Sequence, residues 1–237
     1  MDLQRYERQI RIFGKEGQEK LKNAKVFIGG AGGLGGVISL YLVAAGVGRI
    51  RIVDHDTIKL SNLNRQILYT DGDLGKRKPD CAKERLKVVN PGVEVEALAE
   101  TINENSINKL VANFDLIVDA LDNFPGRYLL NRGAHANNIP LFHGAVEGFF
   151  GQATTIIPWQ TACLKCIFPT APTPSVVPII GSFCAIIGCI QATEVIKYIT
   201  GTGMLLKNKL LMLDGLNSTI EEIEVQKNLM CEDCRKG

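Results

Sequence analysis

Two pairs of cysteines have the spacing of metal ligands. Cys163-Leu-Lys-Cys166 and Cys231-Glu-Asp-Cys234 are both Cys-x-x-Cys, and two such pairs supply the four thiolates of one tetrahedral Zn²⁺. Four sulfurs leave no open ligand position, so this zinc is expected to be structural and to anchor the end of the chain. Disulfides or an iron–sulfur cluster are the competing uses of the same residues. Cys81, Cys184 and Cys189 are left over, and the last two fall in an apolar stretch where they read as core residues.

A second group of residues points to phosphate. Gly30, Gly32 and Gly35 spell G-x-G-x-x-G, with Gly33 and Gly36 added. Glycines at this spacing let backbone N–H groups approach a phosphate at the positive end of the following helix. Asp54 closes the next apolar stretch, where an acid accepts hydrogen bonds from ribose hydroxyls or serves as a turn residue. Ser61-Asn-Leu-Asn-Arg-Gln66 then brings Asn62 and Arg65 within reach of the same phosphates. Lys78 lies in Gly75-Lys-Arg-Lys-Pro-Asp80, which is either part of that site or a solvated helix start. An arginine and a lysine converging on a glycine-rich turn suit a triphosphate better than a dinucleotide, because more negative charge needs neutralising. Asp122, in Asp119-Ala-Leu-Asp-Asn123, has the hard oxygens that hold Mg²⁺ on phosphates; a helix N-cap with Asn123 is the local alternative.

These residues must be positioned by alternating strands and helices. Lys25–Gly29 and Arg49–Asp54 read as strands around a helix from Val37 to Ala45. Further strands are expected at Val93–Leu98, Asp115–Asp119 and Ile139–His143, with helices at Asp80–Val89, Asn105–Asn113 and Gly126–Asn137. That alternation predicts an α/β fold, a Rossmann-like doubly wound sheet that is mainly parallel. Residues 3–22 read as amphipathic helix broken near Gly14 and Gly17. Later, Gln152–Pro158 is a strand, Thr161–Pro178 a loop and Ser182–Ile199 a helix. Lys209–Leu213 and Thr219–Val225 are an antiparallel pair about Asp214-Gly-Leu-Asn217. No linker composition divides the chain, so one domain is expected over 1–237. Its parts are N-terminal helices (1–24), a Rossmann-like part (25–157) and a zinc-bound C-terminal part (158–237).

The composition fits that plan. The chain has 237 residues, 46% hydrophobic and 22% charged, which excludes a disordered chain. Its 27 basic and 25 acidic residues argue against holding nucleic acid by bulk charge. The charged N-terminus lacks a signal-peptide core, and the apolar run Val176–Ile190 is short of the ~20 residues that span a bilayer. A cytoplasmic protein without a membrane segment is expected, with its thiols reduced.

Taken in order, these motifs resemble the MoeB/ThiF/HesA family, prokaryotic relatives of ubiquitin-activating enzymes. The resemblance spans nearly the whole chain. It rests on Arg5-Tyr-Glu-Arg-Gln-Ile10, Gly30-Ala-Gly-Gly-Leu-Gly35, Ala45-Gly-Val-Gly48, Asp54-His-Asp56, Leu60-Ser-Asn-Leu-Asn-Arg-Gln66, Asp119-Ala-Leu-Asp-Asn123, both cysteine pairs and Gln191-Ala-Thr-Glu194. It implies ATP- and Mg²⁺-dependent adenylation of the C-terminal glycine of a ubiquitin-like sulfur carrier ending in Gly-Gly. It implies Arg8, Arg65, Lys78 and Asp122 as catalytic residues. Gly30, Gly32, Gly33, Asp54, Ser61, Asn62, Arg65, Lys78, Asp122 and Asn123 would bind the nucleotide. Arg8 would reach the neighbouring subunit of a homodimer.

Two departures stand out. Many relatives carry a cysteine between the first zinc pair and the long helix, at a position that falls near Pro174 in Thr173-Pro-Ser-Val-Val177. Gly29 replaces a bulkier residue at the end of the first strand. An NAD-dependent oxidoreductase and a non-catalytic nucleotide- and zinc-binding subunit are the rival readings.

Overall fold

The computed structural model describes residues 3–171 and 177–235. Eight strands form one sheet: β1 (Lys25–Gly29), β2 (Arg49–Val53), β3 (Glu94–Leu98), β4 (Leu116–Asp119), β5 (Leu141–Glu147), β6 (Phe150–Ile156), β7 (Lys209–Asp214) and β8 (Thr219–Glu224). Their order is β3-β2-β1-β4-β5-β6-β7-β8. Pairing is parallel from β3 to β5 and antiparallel from β5 to β8. The helices are α1 (Glu7–Asn23), α2 (Gly33–Ala45), α3 (Lys78–Val89), α4 (Ile107–Val111), α5 (Phe124–Asn137), α6 (Leu164–Ile167) and α7 (Gly181–Thr200).

Alternate residues of the central strands feed two cores, because successive strand side chains point to opposite faces. Val26, Ile28, Ile50, Ile52, Leu116 and Val118 pack with Leu34, Ile38 and Leu42 of α2 and Phe183, Ile187 and Val195 of α7. Phe27, Val53, Ile117 and Leu141 pack with Leu110 of α4, Tyr128 and Leu130 of α5, and the cysteines of the C-terminal region. Strands buried on both faces explain why the central segments read as apolar runs.

Several boundaries differ from expectation. α2 begins at Gly33, four residues before Val37, so the last glycines of the rich turn lie inside its first turn. The stretch Thr161–Pro178, expected as loop, contains the short helix α6. α1 is kinked at Gly14, where φ is +73°, but runs through Gly17. α7 is 20 residues and, by length and composition, long enough to cross a membrane, unlike the 15-residue run read from the sequence. Its polar residues explain its place instead. Gln191 Nε2 donates to the carbonyls of Asp119 (2.8 Å) and Phe142 (3.1 Å), and a Glu194 carboxylate oxygen accepts from Thr155 Oγ1 (2.6 Å) and Leu206 N (2.7 Å). These bonds fasten the helix to the sheet.

The strand order reverses between β1 and β4. In open α/β sheets the crevice at such a point, beyond the carboxyl ends of the strands, receives the ligand. Here it lies between the turn after Gly29 and the turn after Asp119.

Candidate active site and cysteine cluster

The glycine-rich turn closes on its neighbour at backbone distance. Gly30 has φ +104°, and a Cβ there would lie 2.5 Å from the Ala120 carbonyl; one on Gly35 would lie 1.9 Å from the Gly30 carbonyl. Only glycine fits both positions. The turn is fixed from three sides: Gly30 N donates to Val53 O, Ala31 N to Asp54 Oδ2, and Tyr69 Oη to Ala31 O. The amino end of α2 therefore faces the crevice with its unpaired N–H groups.

A cavity of about 310 Å³ occupies this point, lined by Gly30, Gly32, Gly33, Asp54, Asp56, Arg65, Gln66, Lys78, Asp122, Asn123, Arg127 and Cys184, among others. Of the residues singled out from the sequence, the glycines, Asp54, Arg65, Lys78, Asp122 and Asn123 meet here. Asp54 is also a brace: its second oxygen accepts from Asp56 N at 2.8 Å. Lys78 is not a solvated helix residue. Its side chain is 6% exposed and its Nζ lies 2.8 Å from Asp56 Oδ2. Lys76 turns away to Asp73, and Arg77 is exposed. Burial pushes the Asp56 carboxyl up, but its bond to the Lys78 ammonium prevails and holds it below its ordinary value. Arg65 is steadied by the Ser61 carbonyl (2.9 Å) and Asn64 Oδ1 (3.0 Å). Asp122 is exposed, and among the described residues its carboxylate takes only the Asn123 amide, on Oδ1 at 3.1 Å, which leaves carboxylate oxygen for a cation. Asn123 also caps α5, accepting from Gly126 N at 2.9 Å.

Ser61, Asn62 and Arg8 are not among the residues that line the cavity. Ser61 offers its carbonyl to Arg65, and Asn62 Oδ1 accepts from Lys59 N, so both shape the loop that carries Arg65. Arg8 is exposed on α1. α1 is tied to the far end of α2 by Gln9 and Gln18, both of which donate to the Ala45 carbonyl.

Three residues beside the cavity escaped the sequence reading. Asp56 was visible only as part of Asp54-His-Asp56. Arg127 is buried and donates Nε and Nη2 to the Leu121 carbonyl, bracing the turn that presents Asp122; its position one helical turn after Asn123 was the available signal. Cys184, expected in the core, is buried but also lines the cavity, with Sγ against Gly33. Burial raises its thiol pKa although Arg65 pulls the other way. Cys189 is half-buried on the same helix. Pro174 lies outside the described residues.

A second cavity, about 400 Å³, lies against β5, β6 and α5 and is lined by Phe124, Ala145, Phe150, Gln152, Phe168 and Met212, among others. Asp122, Asn123, Pro125, Arg127, Val146 and Ile179 line both cavities, so the two adjoin along a shared wall.

The four paired cysteines come together beside α5, next to Asn131. Cys163 and Cys231 sulfurs are 3.5 Å apart, Cys166 and Cys234 3.4 Å, and Cys163 and Cys166 3.7 Å. A tetrahedral site with Zn–S near 2.3 Å spaces its sulfurs about 3.8 Å apart, so the donor set fits zinc. All seven cysteines are free thiols. Burial pushes Cys234 up to about 12 and Cys163 higher, as expected for thiols crowded in an apolar place without a cation. Asn131 of α5 links the two segments, accepting from Leu164 N and donating to Asp233 Oδ2.

A glycine-rich turn, a strand-end acid and two cationic side chains at the switch point of a Rossmann-like sheet define a nucleotide-binding α/β protein. The chain belongs to the ThiF family, whose model matches residues 6–234. It is 40% identical over 243 residues to the SAMP-activating enzyme E1 of Haloferax volcanii, covering 99% of this chain and 90% of that protein. It is 40% identical over 246 residues to the sulfur carrier protein adenylyltransferase of Thermus thermophilus, covering 98% and 91%. Among solved structures, E. coli MccB with ATP matches at a TM-score of 0.87 and 25% identity, over 97% of this chain and 74% of that one.

Proposed function

We propose that this protein adenylates the C-terminal glycine carboxylate of a ubiquitin-like sulfur carrier, consuming ATP and releasing pyrophosphate. The observation that carries the reading is the adjacency of the two cavities: one with Arg65, Lys78 and Asp122, suited to phosphates, adjoins a more apolar space suited to a peptide end. The adenylyltransferase and activating-enzyme names of its relatives point the same way.

The chemistry follows from charge. A carboxylate oxygen attacks the α-phosphorus, the bond to the β-phosphate oxygen breaks, and pyrophosphate leaves with that electron pair. Two anions must meet, so cations have to be in place beforehand. Arg65 and Lys78 supply positive charge, Gly33 supplies backbone contact and Asp54 holds ribose. Ser61 and Asn62 set the loop that aims Arg65. Asp122 would hold Mg²⁺, which when bound neutralises charge on the phosphates. Arg127, at the junction of the cavities, faces the incoming carboxylate.

In this reading residues 1–237 act as one adenylation domain, in the cytoplasm, with a structural Zn²⁺ on Cys163, Cys166, Cys231 and Cys234. Arg8 completes the site of a second copy in a homodimer. The reaction ends at the acyl-adenylate: residues 172–176 contain no cysteine, and Cys184 is buried with a raised pKa.

The test is carrier-dependent ATP–pyrophosphate exchange, with stabilisation by ATP but not NAD. Arg8→Ala and Asp122→Ala should each be inactive alone and regain activity when their subunits are exchanged. Mixtures that stay inactive would count against a shared site. A thiol-sensitive enzyme–carrier adduct mapped to Cys184, Cys189 or Cys81 would overturn the adenylate endpoint.

A further inference from the structure

A row of polar side chains crosses the sheet on the face that meets α5. Asp119 of β4 and His143 of β5 are register partners, and both are fully buried. His143 Nδ1 lies 2.7 Å from Asp119 Oδ2, while Asp119 Oδ1 accepts from Leu121 N at 3.1 Å. A carboxylate only accepts, so Nδ1 carries the proton. Burial, outweighing the carboxylate beside it, holds the imidazole below its ordinary pKa, so the ring is neutral and Nε2 is an acceptor.

That acceptor fixes the next residue. Gln152 Nε2 lies 3.3 Å from His143 Nε2 and must be the donor there. The amide is thereby oriented, with Oε1 directed away from the ring. Gln152 is half-buried and lines the second cavity, and its Oε1 takes no hydrogen bond from any described residue. Its cross-strand neighbours are Ala145 and Met212. The methyl of Ala145 is too short to cover the amide.

We propose that Gln152 is a specificity-determining residue for the acyl substrate: its side-chain carbonyl, oriented by the His143–Asp119 pair, accepts a backbone N–H of the extended tail that enters the second cavity. This rests on the adenylation reading. The chemistry selects a peptide. Phosphates and carboxylates offer no N–H, whereas an extended chain presents N–H groups at a regular repeat. A neutral acceptor in a mostly apolar wall is matched by such a donor, and leaving it unpaired penalises a tail that lacks one. Arg127, which lines both cavities and keeps Nε and Nη2 on the Leu121 carbonyl with Nε 4.0 Å from Asp119, has Nη1 left for the terminal carboxylate.

The experiment uses full-length enzyme and a ubiquitin-like carrier assembled by ligation, ending in Gly-Gly or with either of its last two peptide nitrogens methylated. Wild-type enzyme should show a KM about tenfold higher for one methylated carrier, the effect of about 1.4 kcal/mol. In Gln152→Ala and Gln152→Met, KM for the unmodified carrier should rise about tenfold with kcat within about twofold, and discrimination against methylation should vanish. ATP-induced stabilisation should be unchanged, which separates tail recognition from damage to the fold; Gln152→Met keeps the volume should Gln152→Ala misfold. Undiminished discrimination in the variants, a loss confined to kcat, or lost ATP stabilisation in both would overturn the inference alone. Wild-type enzyme that exchanges pyrophosphate with no Gly-Gly carrier would overturn the adenylation reading with it.

Discussion

Lys78 and Asp122 both line the first cavity and are prepared differently. Lys78 is buried, with its charge balanced by Asp56, whereas Asp122 is exposed and, among the described residues, held only by Asn123. Lys78 thus brings a desolvated cation whose geometry is already set, and Asp122 keeps oxygen free for a metal. Replacing Asp122, Arg65 or Lys78 by Ala should lower carrier adenylation by at least about a hundredfold. For Asp122→Ala the melting temperature should hold, because among the described residues its side chain bonds only the adjacent Asn123. A fall in melting temperature that accounts for the lost activity would remove Asp122 from the chemistry. Asp56 marks the limit of reading at this scale. In sequence it is one acid of a charged triplet, and only the fold places its carboxylate against an ammonium 22 positions away.

At the scale of elements, the β1–α2 turn is the least forgiving joint. Gly35→Ala would drive a methyl into the Gly30 carbonyl, so it should cost about 2 kcal/mol or more and abolish ATP-induced stabilisation. Gly36→Ala is the control: its nearest neighbour, Leu68, would stand at an ordinary 3.4 Å, and stability should hold or rise. Unfolding midpoints for the two variants check this. The β2–β3 edge carries an ionic clamp, in which Glu96 accepts from Arg49 (2.9 Å) and from Arg51 through two bonds of 3.0 Å. Burial pushes the Glu96 carboxyl up, and the two guanidiniums more than reverse this, leaving it below its ordinary 4.5. A lowered folded pKa stabilises above the unfolded value and loses that contribution as pH falls through the folded one. Wild-type stability should therefore decline below pH 4.5 more steeply than that of Glu96→Gln. Parallel denaturation curves across that range would exclude the clamp as the cause. These elements were legible in outline. The apolar periodicity of α2 starts at Val37, while the glycines before it, which form its first turn, carry no periodic signal.

Across the whole molecule, the C-terminal cysteines close a span that, among the described residues, contributes no strand after β8. Their sulfurs join the core on the α5 face, so a zinc bound there would hold that core together as well as residues 226–235. One zinc per chain is expected by elemental analysis, and stripping it with a strong chelator should lower the melting temperature and loosen residues 226–235. Cys231→Ser should do the same. Native protein without zinc, or with two disulfides, would overturn the assignment.

The sequence by itself determined the alternation of strands and helices, the glycine-rich turn and the two cysteine pairs. Each of these is local: a repeat of two or 3.6 residues, a glycine spacing, or two ligands three residues apart. Tertiary structure alone decided which residues share a wall. The reversal of strand order between β1 and β4 brings Gly30 against Ala120. Parallel register sets His143 beside Asp119, and antiparallel pairing brings Gln152 to its ring. No pattern within one segment encodes those meetings, because pairing between strands is chosen by the cores on both faces of the sheet, to which every segment contributes at once.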